Sequence, residues 1–278
     1  MLWILFASTP LHLASFTLTS MRRPSCPGSA YKTPRDNIAL QLAVAVLSAG
    51  PIGIGDGPNC TNRTLVMVVC NKRGDLLHPS RAATPIDIMY SPAAAPSGQV
   101  WATHSAWPTI TAWTVLAVDV DQGYNFTLDD LYPSSAFSTL VAYESSIIGT
   151  EPRPHAPQLM TKQEPLLLRT AAQQGVEHSF RVVTLSPLLP CGWAFLGEAD
   201  KVVALSPQRV STITMSPSQL TVSVVGVAGE ATIFAFAYLA RAGGNFSATL
   251  EVVSVPVSFI ISGAPISIQC ADNACKIL

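Results

Sequence analysis

The sequence predicts a mostly β chain in which the C-terminal part of a (β/α)8 barrel precedes an antiparallel β-sandwich. Three observations lead there. Twenty-two prolines and 17 glycines are spread over 278 residues, so long uninterrupted helices are scarce. From residue 98 onward, runs of β-branched and aromatic residues recur between turn signals with no helical period between them. Before that point a strongly apolar stretch with helix-type boundaries leads into a short apolar run that ends in an acid. The expected division is residues 1–97, a partial α/β-barrel region of last helix–strand units, and residues 98–278, the sandwich domain.

Composition narrows the function classes. The chain is 49% hydrophobic and only 12% charged, against roughly 25% charged in an ordinary soluble domain. Disorder needs low hydrophobicity and high net charge, and the formal net charge is -1. Sixteen Lys and Arg against 17 Asp and Glu leave no basic excess to release counterions, so no nucleic-acid partner is expected.

The N-terminal run Met1 to Ala7 has the look of a signal peptide but lacks a basic leading region, and Pro10 and His12 interrupt it. It falls short of the roughly 20 apolar residues of a spanning helix, so stable membrane insertion is not expected. A functional signal and a buried strand of a domain whose earlier part lies upstream both remain open.

From Pro34 the pattern is legible. Pro34 suits a first helical position, and Asp36 favours the positive end of a helix. Ile38 to Leu47 is nearly all apolar, which predicts a helix buried on most sides, and Gly50-Pro51 ends it. Ile52-Gly53-Ile54-Gly55 then predicts a short buried strand with Asp56 at its C-terminal end, where barrels place ligand-binding side chains. Glycines 53 and 55 leave room beside Asp56, the candidate substrate-binding residue. Its other reading is a cap on the turn at Gly57-Pro58. A dinucleotide site is disfavoured because Pro58 stands where G-x-G-x-x-G needs its third glycine. A further helix is predicted near Thr61 to Val69.

The strands follow. Gln99 to Thr103 and Thr114 to Val120 come first, then an irregular connection over Glu151 to Pro165, which holds four prolines. Strands are next predicted at Ser179–Leu185, Trp193–Leu196, Lys201–Leu205, Arg209–Met215, Leu220–Val227, Ala231–Tyr238, Ser247–Val253 and Val257–Ile261. Their spacing is that of an antiparallel sandwich.

Four N-x-[ST] sequons, at Asn59, Asn62, Asn125 and Asn245, occur among seven asparagines, where about one would arise by chance. They are candidate glycosylation sites and favour the secretory pathway or the extracellular space, with a cytoplasmic chain as the alternative. The six cysteines are too sparse for a disulfide-framed scaffold. Cys270 and Cys275 either close a small loop or remain two small hydrophobes. Without a C-x-x-C pair or ligand spacing among His12, His78, His104, His155 and His178, no metal site and no cofactor is expected. Asp119, Asp121, Asp129 and Asp130 fit no calcium-loop rule and read as solvated turns. Trp101, Trp107 and Trp113 offer either a sugar-stacking platform or, more in keeping with a sandwich, buried core. No G-x-S-x-G elbow supports serine hydrolase chemistry.

One family is suggested by particular residues. Ser48-Ala49-Gly50-Pro51-Ile52-Gly53-Ile54-Gly55-Asp56 resembles the Gly-Gly-Pro-Ile-x-x-Ser-Asp stretch near the barrel's end in raffinose synthase and related α-galactosidase-like glycoside hydrolases. Leu76-Leu77-His78-Pro79 and Ala82-Ala83-Thr84-Pro85-Ile86-Asp87 are similar to its continuation. Leu185-Ser186-Pro187-Leu188 and Gly192 to Gly197 are similar to its C-terminal sandwich. Ala49 stands where that pattern has glycine, Gly55 where it has serine, and Ile86 where it has arginine.

The resemblance implies an α-galactoside-processing glycosidase or transglycosidase with carbohydrate as partner and Asp56 as a sugar-hydroxyl acceptor. The retaining mechanism needs two carboxylates about 5–5.5 Å apart, which in that family lie on earlier barrel strands. A complete barrel takes roughly 200 residues at least, and no Lys-x-Asp nucleophile motif precedes Asp56. The chain therefore reads as a C-terminal fragment without catalytic residues of its own, its N-terminal barrel portion missing. The alternative is a non-catalytic secreted β-sandwich glycoprotein that binds carbohydrate or protein.

Overall fold

The computed structural model describes residues 17–19, 37–54, 61–144, 156–171, 178–241 and 248–278. It is mostly β, with 45% strand and 10% helix, so the barrel half of the expectation is not supported. What stands in that region is small. Strand β1 (Thr17–Thr19), helix α1 (Ile38–Leu47) and strand β2 (Ile52–Ile54) come in order, and β1 and β2 pair in parallel.

Helix α1 starts where the Asn37 side chain accepts the Leu40 N–H at 3.1 Å. Leu42, Ala43 and Ala45 are wholly buried, as a helix apolar on nearly every side requires. It ends through Ala49, whose φ of 54° is the left-handed conformation glycine usually takes there. The helix, turn and strand expected over 34–58 are thus present where described, but β2 is not buried. Ile54 is 46% exposed, because β2 is paired only to β1 and no further strand adjoins it among the described residues. Helix α2 (Arg63–Met67) is a short version of the helix expected at 61–69.

Next come β3 (Thr84–Pro85), β4 (Gln99–Ala106), β5 (Thr111–Val118), β6 (Tyr124–Phe126), β7 (Thr139–Glu144), β8 (Gln158–Thr161), β9 (Leu166–Leu168) and β10 (Phe180–Pro187). Six of them make an antiparallel sheet in the order β3-β4-β5-β10-β7-β8, while β6 and β9 pair separately. The proline-rich connection is therefore not wholly irregular. Pro157 and Pro165 lie just outside β8 and β9, and β8 sits at the sheet edge, where a missing N–H is tolerated nearby.

The last strands are β11 (Trp193–Glu198), β12 (Val210–Met215), β13 (Leu220–Val224), β14 (Ala231–Arg241), β15 (Ala248–Ser258), β16 (Ile266–Ala271) and β17 (Ala274–Ile277). They form a three-stranded sheet, β11-β14-β15, and a four-stranded sheet, β12-β13-β16-β17. Lys201–Leu205 is buried but is not a strand. The Val202 N–H donates to Val68 O and Ala204 O accepts from Glu198 N–H, so the segment binds its surroundings one group at a time. The closing hairpin of β16 and β17, absent from the sequence expectation, is joined by the Cys270–Cys275 disulfide.

Alternation along the strands builds three layers. Phe195, Phe234, Phe236, Val255 and Val257 of the three-stranded sheet meet Val210, Ile213, Val222, Val224 and Ile268 of the four-stranded sheet in one core. Phe195 and Phe236 have ring centroids 4.9 Å apart. Each such buried side chain contributes about 1.5–3 kcal/mol relative to exposure. The opposite face of the three-stranded sheet, through Ala194, Leu196, Ala235 and Ala237, packs on Val141 of β7. That same face of the six-stranded sheet receives α1 beside Leu116, Phe180 and Val182. Its other face, with Trp113, Val115, Leu140, Val183 and Leu185, is covered by the β6–β9 pair through Phe126, Leu166 and Leu168. A sheet buried on both faces has nearly continuous apolar strands, and β11 is buried along its whole length. Gly197 permits this packing: at φ 92° a Cβ there would lie 2.4 Å from Ala204 O.

No described helix is long and apolar enough to cross a membrane.

Candidate functional site

Asp56, Asn59 and Asn245 lie outside the described residues. Of the sequons, Asn62 is the N-cap of α2, its side-chain oxygen accepting Thr64 N–H at 3.1 Å. Asn125 is exposed in the middle of β6, between half-buried Tyr124 and fully buried Phe126. The hydroxyl of Thr127, third residue of that sequon, donates to Asp130 at 3.0 Å.

The three tryptophans form no platform. Trp113 is 1% exposed in the core beneath β6 and β9. Trp107 donates Nε1–H to Val210 O at 3.0 Å, and Trp101 packs toward α1. Their six-residue spacing spans two antiparallel strands and a turn, so strand alternation distributes them over different faces.

Among the described residues no group of three His, Cys, Asp or Glu is placed to hold a metal. His178 Nδ1 lies 2.6 Å from Asp119 Oδ2, and Asn37 Nδ2 donates to His178 O at 2.8 Å, which ties the start of α1 to the start of β10. Asp130 closes a capping box with Thr127 and accepts the Tyr124 hydroxyl at 2.8 Å. Burial foremost, with Asp130 beside it, pushes the Tyr124 pKa up.

Two clusters went unseen in the sequence. In the first, Arg209 is 1% exposed between two glutamates. Its Nε–H donates to Glu198 Oε2 at 2.8 Å, while Nη1 and Nη2 grip the two oxygens of Glu230 at 2.9 and 2.7 Å. Glu230 also accepts the backbone N–H groups of Lys72 and Val227, each at 3.1 Å. The two carboxylates respond oppositely. Burial raises the Glu198 pKa despite Arg209. For Glu230 burial acts in the same sense but is outweighed by Arg209 and the two backbone donors, so its pKa is lowered. A third buried carboxylate, Glu144, is paired with Arg181 at 2.5 Å. Arg209 ties β11 to the segments before β12 and β14, and Arg181 ties β10 to β7 and β9.

The second cluster is on the surface. Tyr132 is 70% exposed, and the Arg81 guanidinium carbon sits 5.3 Å from its ring centroid. The backbone N–H of Ser80 donates to His104 O at 3.0 Å, and the Thr103 hydroxyl donates to Arg81 O, which fix this corner against β4. Burial first, then Arg81, lowers the His104 pKa, so the imidazole is neutral near pH 7. The corner offers an exposed ring, a cation stacked on it and a neutral imidazole. Arg81, His104 and Tyr132 are far apart in sequence and belong to no motif, so only the fold brings them together.

No family model matches the chain, and no curated protein matches it significantly.

Proposed function

We propose that this chain is a non-catalytic β-rich module with carbohydrate as its partner, forming the C-terminal part of a protein built like the α-galactoside-processing glycosidases and transglycosidases. The observation that carries the non-catalytic reading is the state of the buried carboxylates. Glu144, Glu198 and Glu230 are each ion-paired to a buried arginine, whereas a retaining glycosidase needs one carboxylate free to attack and one free to carry a proton. The role of Asp56 as a sugar-hydroxyl acceptor rests on the resemblance at Ser48 to Asp56.

The test uses purified chain with an aryl α-galactoside, next to Asp56→Asn. No turnover above the blank is expected. Turnover that the substitution abolishes would show a self-sufficient enzyme and overturn the proposal. Calorimetric titration with galactosides compares the chain with Tyr132→Ala, which is expected to weaken binding.

A second reading, a secreted β-sandwich glycoprotein with no barrel partner, is favoured by one observation, the outward position of the Asn125 sequon on β6.

A further inference from the structure

We infer that Asn125 carries an N-linked glycan whose first sugar packs over Leu167. This rests on the secretory reading of the chain. The register pairs Asn125 of β6 directly with Leu167 of β9. Directly opposed residues in an antiparallel pair share one face, with Cβ atoms about 4.5–5.5 Å apart. The face is the outer one: Phe126, Leu166 and Leu168 are essentially fully buried, while Leu167 between them is 53% exposed. A leucine in that outward position, beside a sequon, is a ready shelf for the apolar face of a sugar ring.

The shelf is held in place. Leu167 leans toward β6, since a Cβ on Gly123 would come within 3.1 Å of its Cδ1. On the far side of β9, the buried Arg181 Nη1–H donates to Leu167 O at 3.2 Å and to Arg169 O at 3.1 Å. By contrast Asn62 is half-buried and its side chain caps α2. Transfer occurs from a lipid-diphosphate oligosaccharide. The Asn125 Nδ2 attacks the anomeric carbon, the N–C bond forms, the C–O bond to the diphosphate breaks, the amide gives up a proton and the lipid diphosphate leaves.

The chain is secreted behind a heterologous signal from cells that make only high-mannose glycans, and its peptides are weighed. A hexosamine-bearing peptide containing Asn125 is expected. Occupancy of other sequons with Asn125 bare, or no occupancy at all, overturns the inference. Trimming to the first sugar with endoglycosidase H is expected to leave Tm unchanged, whereas Asn125→Gln lowers it by about 2–4 °C, the equivalent of one favourable contact in a chain of this size. In a Leu167→Ser background Asn125→Gln is expected to cost nothing more; an undiminished loss there refutes the packing. If the protein isolated from its native source is unmodified while the signal-fused form carries the glycan at Asn125, the secretory reading fails and the site stands.

Discussion

Glu198 and Glu230 share one arginine, yet their replacement by glutamine is expected to differ by several kcal/mol. Glu230 accepts four donors: two from Arg209 and the N–H groups of Lys72 and Val227. A glutamine there must point an NH2 at donors on either oxygen, leaving buried groups unpaired beside a buried cation. Breaking such a pair costs about 3–5 kcal/mol. Glu198 meets Arg209 through Oε2, and among the described residues its buried Oε1 has no hydrogen-bond partner of good geometry. Glutamine keeps the first contact through its carbonyl, gives up the attraction of buried Lys201 and leaves Arg209 neutralised by Glu230. Its cost should stay within about 1 kcal/mol, the net worth of an ordinary hydrogen bond.

The assay is urea unfolding followed by tryptophan fluorescence, with the slope of the transition unchanged and the midpoint shifted. pH provides a second axis. Because Glu230 has a lowered pKa, its contribution is complete above the unfolded value of about 4.3 and is lost as pH falls through the folded value. Glu198 has a raised pKa, so its contribution is present below the unfolded value and is lost as pH rises through the folded one. Glu230→Gln should therefore remove its share of the acid sensitivity, and Glu198→Gln should remove the opposing loss as pH rises. Equal midpoint shifts for the two variants at pH 7 would refute the reasoning.

Ala49→Gly should stabilise the chain by about 0.5–1 kcal/mol, because relief of a left-handed alanine exceeds the entropy glycine adds to the unfolded chain; a lower unfolding midpoint would count against it. Cys275→Ala should lower stability by roughly 2 kcal/mol, the loop-entropy value for so short a closure, and reduction of the Cys270–Cys275 bridge should have the same effect on the parent and none on the variant.

The sequence was most informative where one local rule acted alone. The apolar run at Ile38–Leu47 with its Gly50-Pro51 stop gave a helix of those limits, and alternation in Arg209–Met215 and Leu220–Val224 gave paired strands. It failed where tertiary partners decide. Lys201–Leu205 reads as a strand but finds its backbone partners in Val68 and Glu198. Gln158–Thr161 looked irregular from its prolines, yet pairs with β7 because those prolines fall outside it. The six-residue tryptophan period said nothing about faces, since a turn separates Trp107 from Trp113. Nor does any local pattern announce Arg209 with Glu198 and Glu230, or Tyr132 with Arg81, because each cluster joins segments that only the stacking of sheets brings together.

The layering also restricts where recognition can take place. Strand β11 and the middle of β14 are covered on both faces, whereas β15 exposes Val252, Ser254, Pro256 and Ser258, so the described residues meet solvent through loop corners, the β6–β9 face, one face of β15 and the outer face of the four-stranded sheet. That outer face is built from Thr212, Thr214, Thr221, Ser223, Ser267 and Gln269, with Ser223 and Ser267 hydroxyls 3.1 Å apart and Gln269 donating to Gln219 at 3.0 Å. It is polar and sparsely charged, with Lys276 of β17 opposite Gln269, in keeping with a chain of which only 12% is charged. Such surfaces lack the electrostatic reach that draws anionic polymers and work instead by short-range hydrogen bonding and by contact with the faces of rings. The Tyr132 corner brings a ring, the Arg81 guanidinium stacked on it and the neutral His104 together. Neutral carbohydrate, the proposed partner, is a ligand class that uses both kinds of contact.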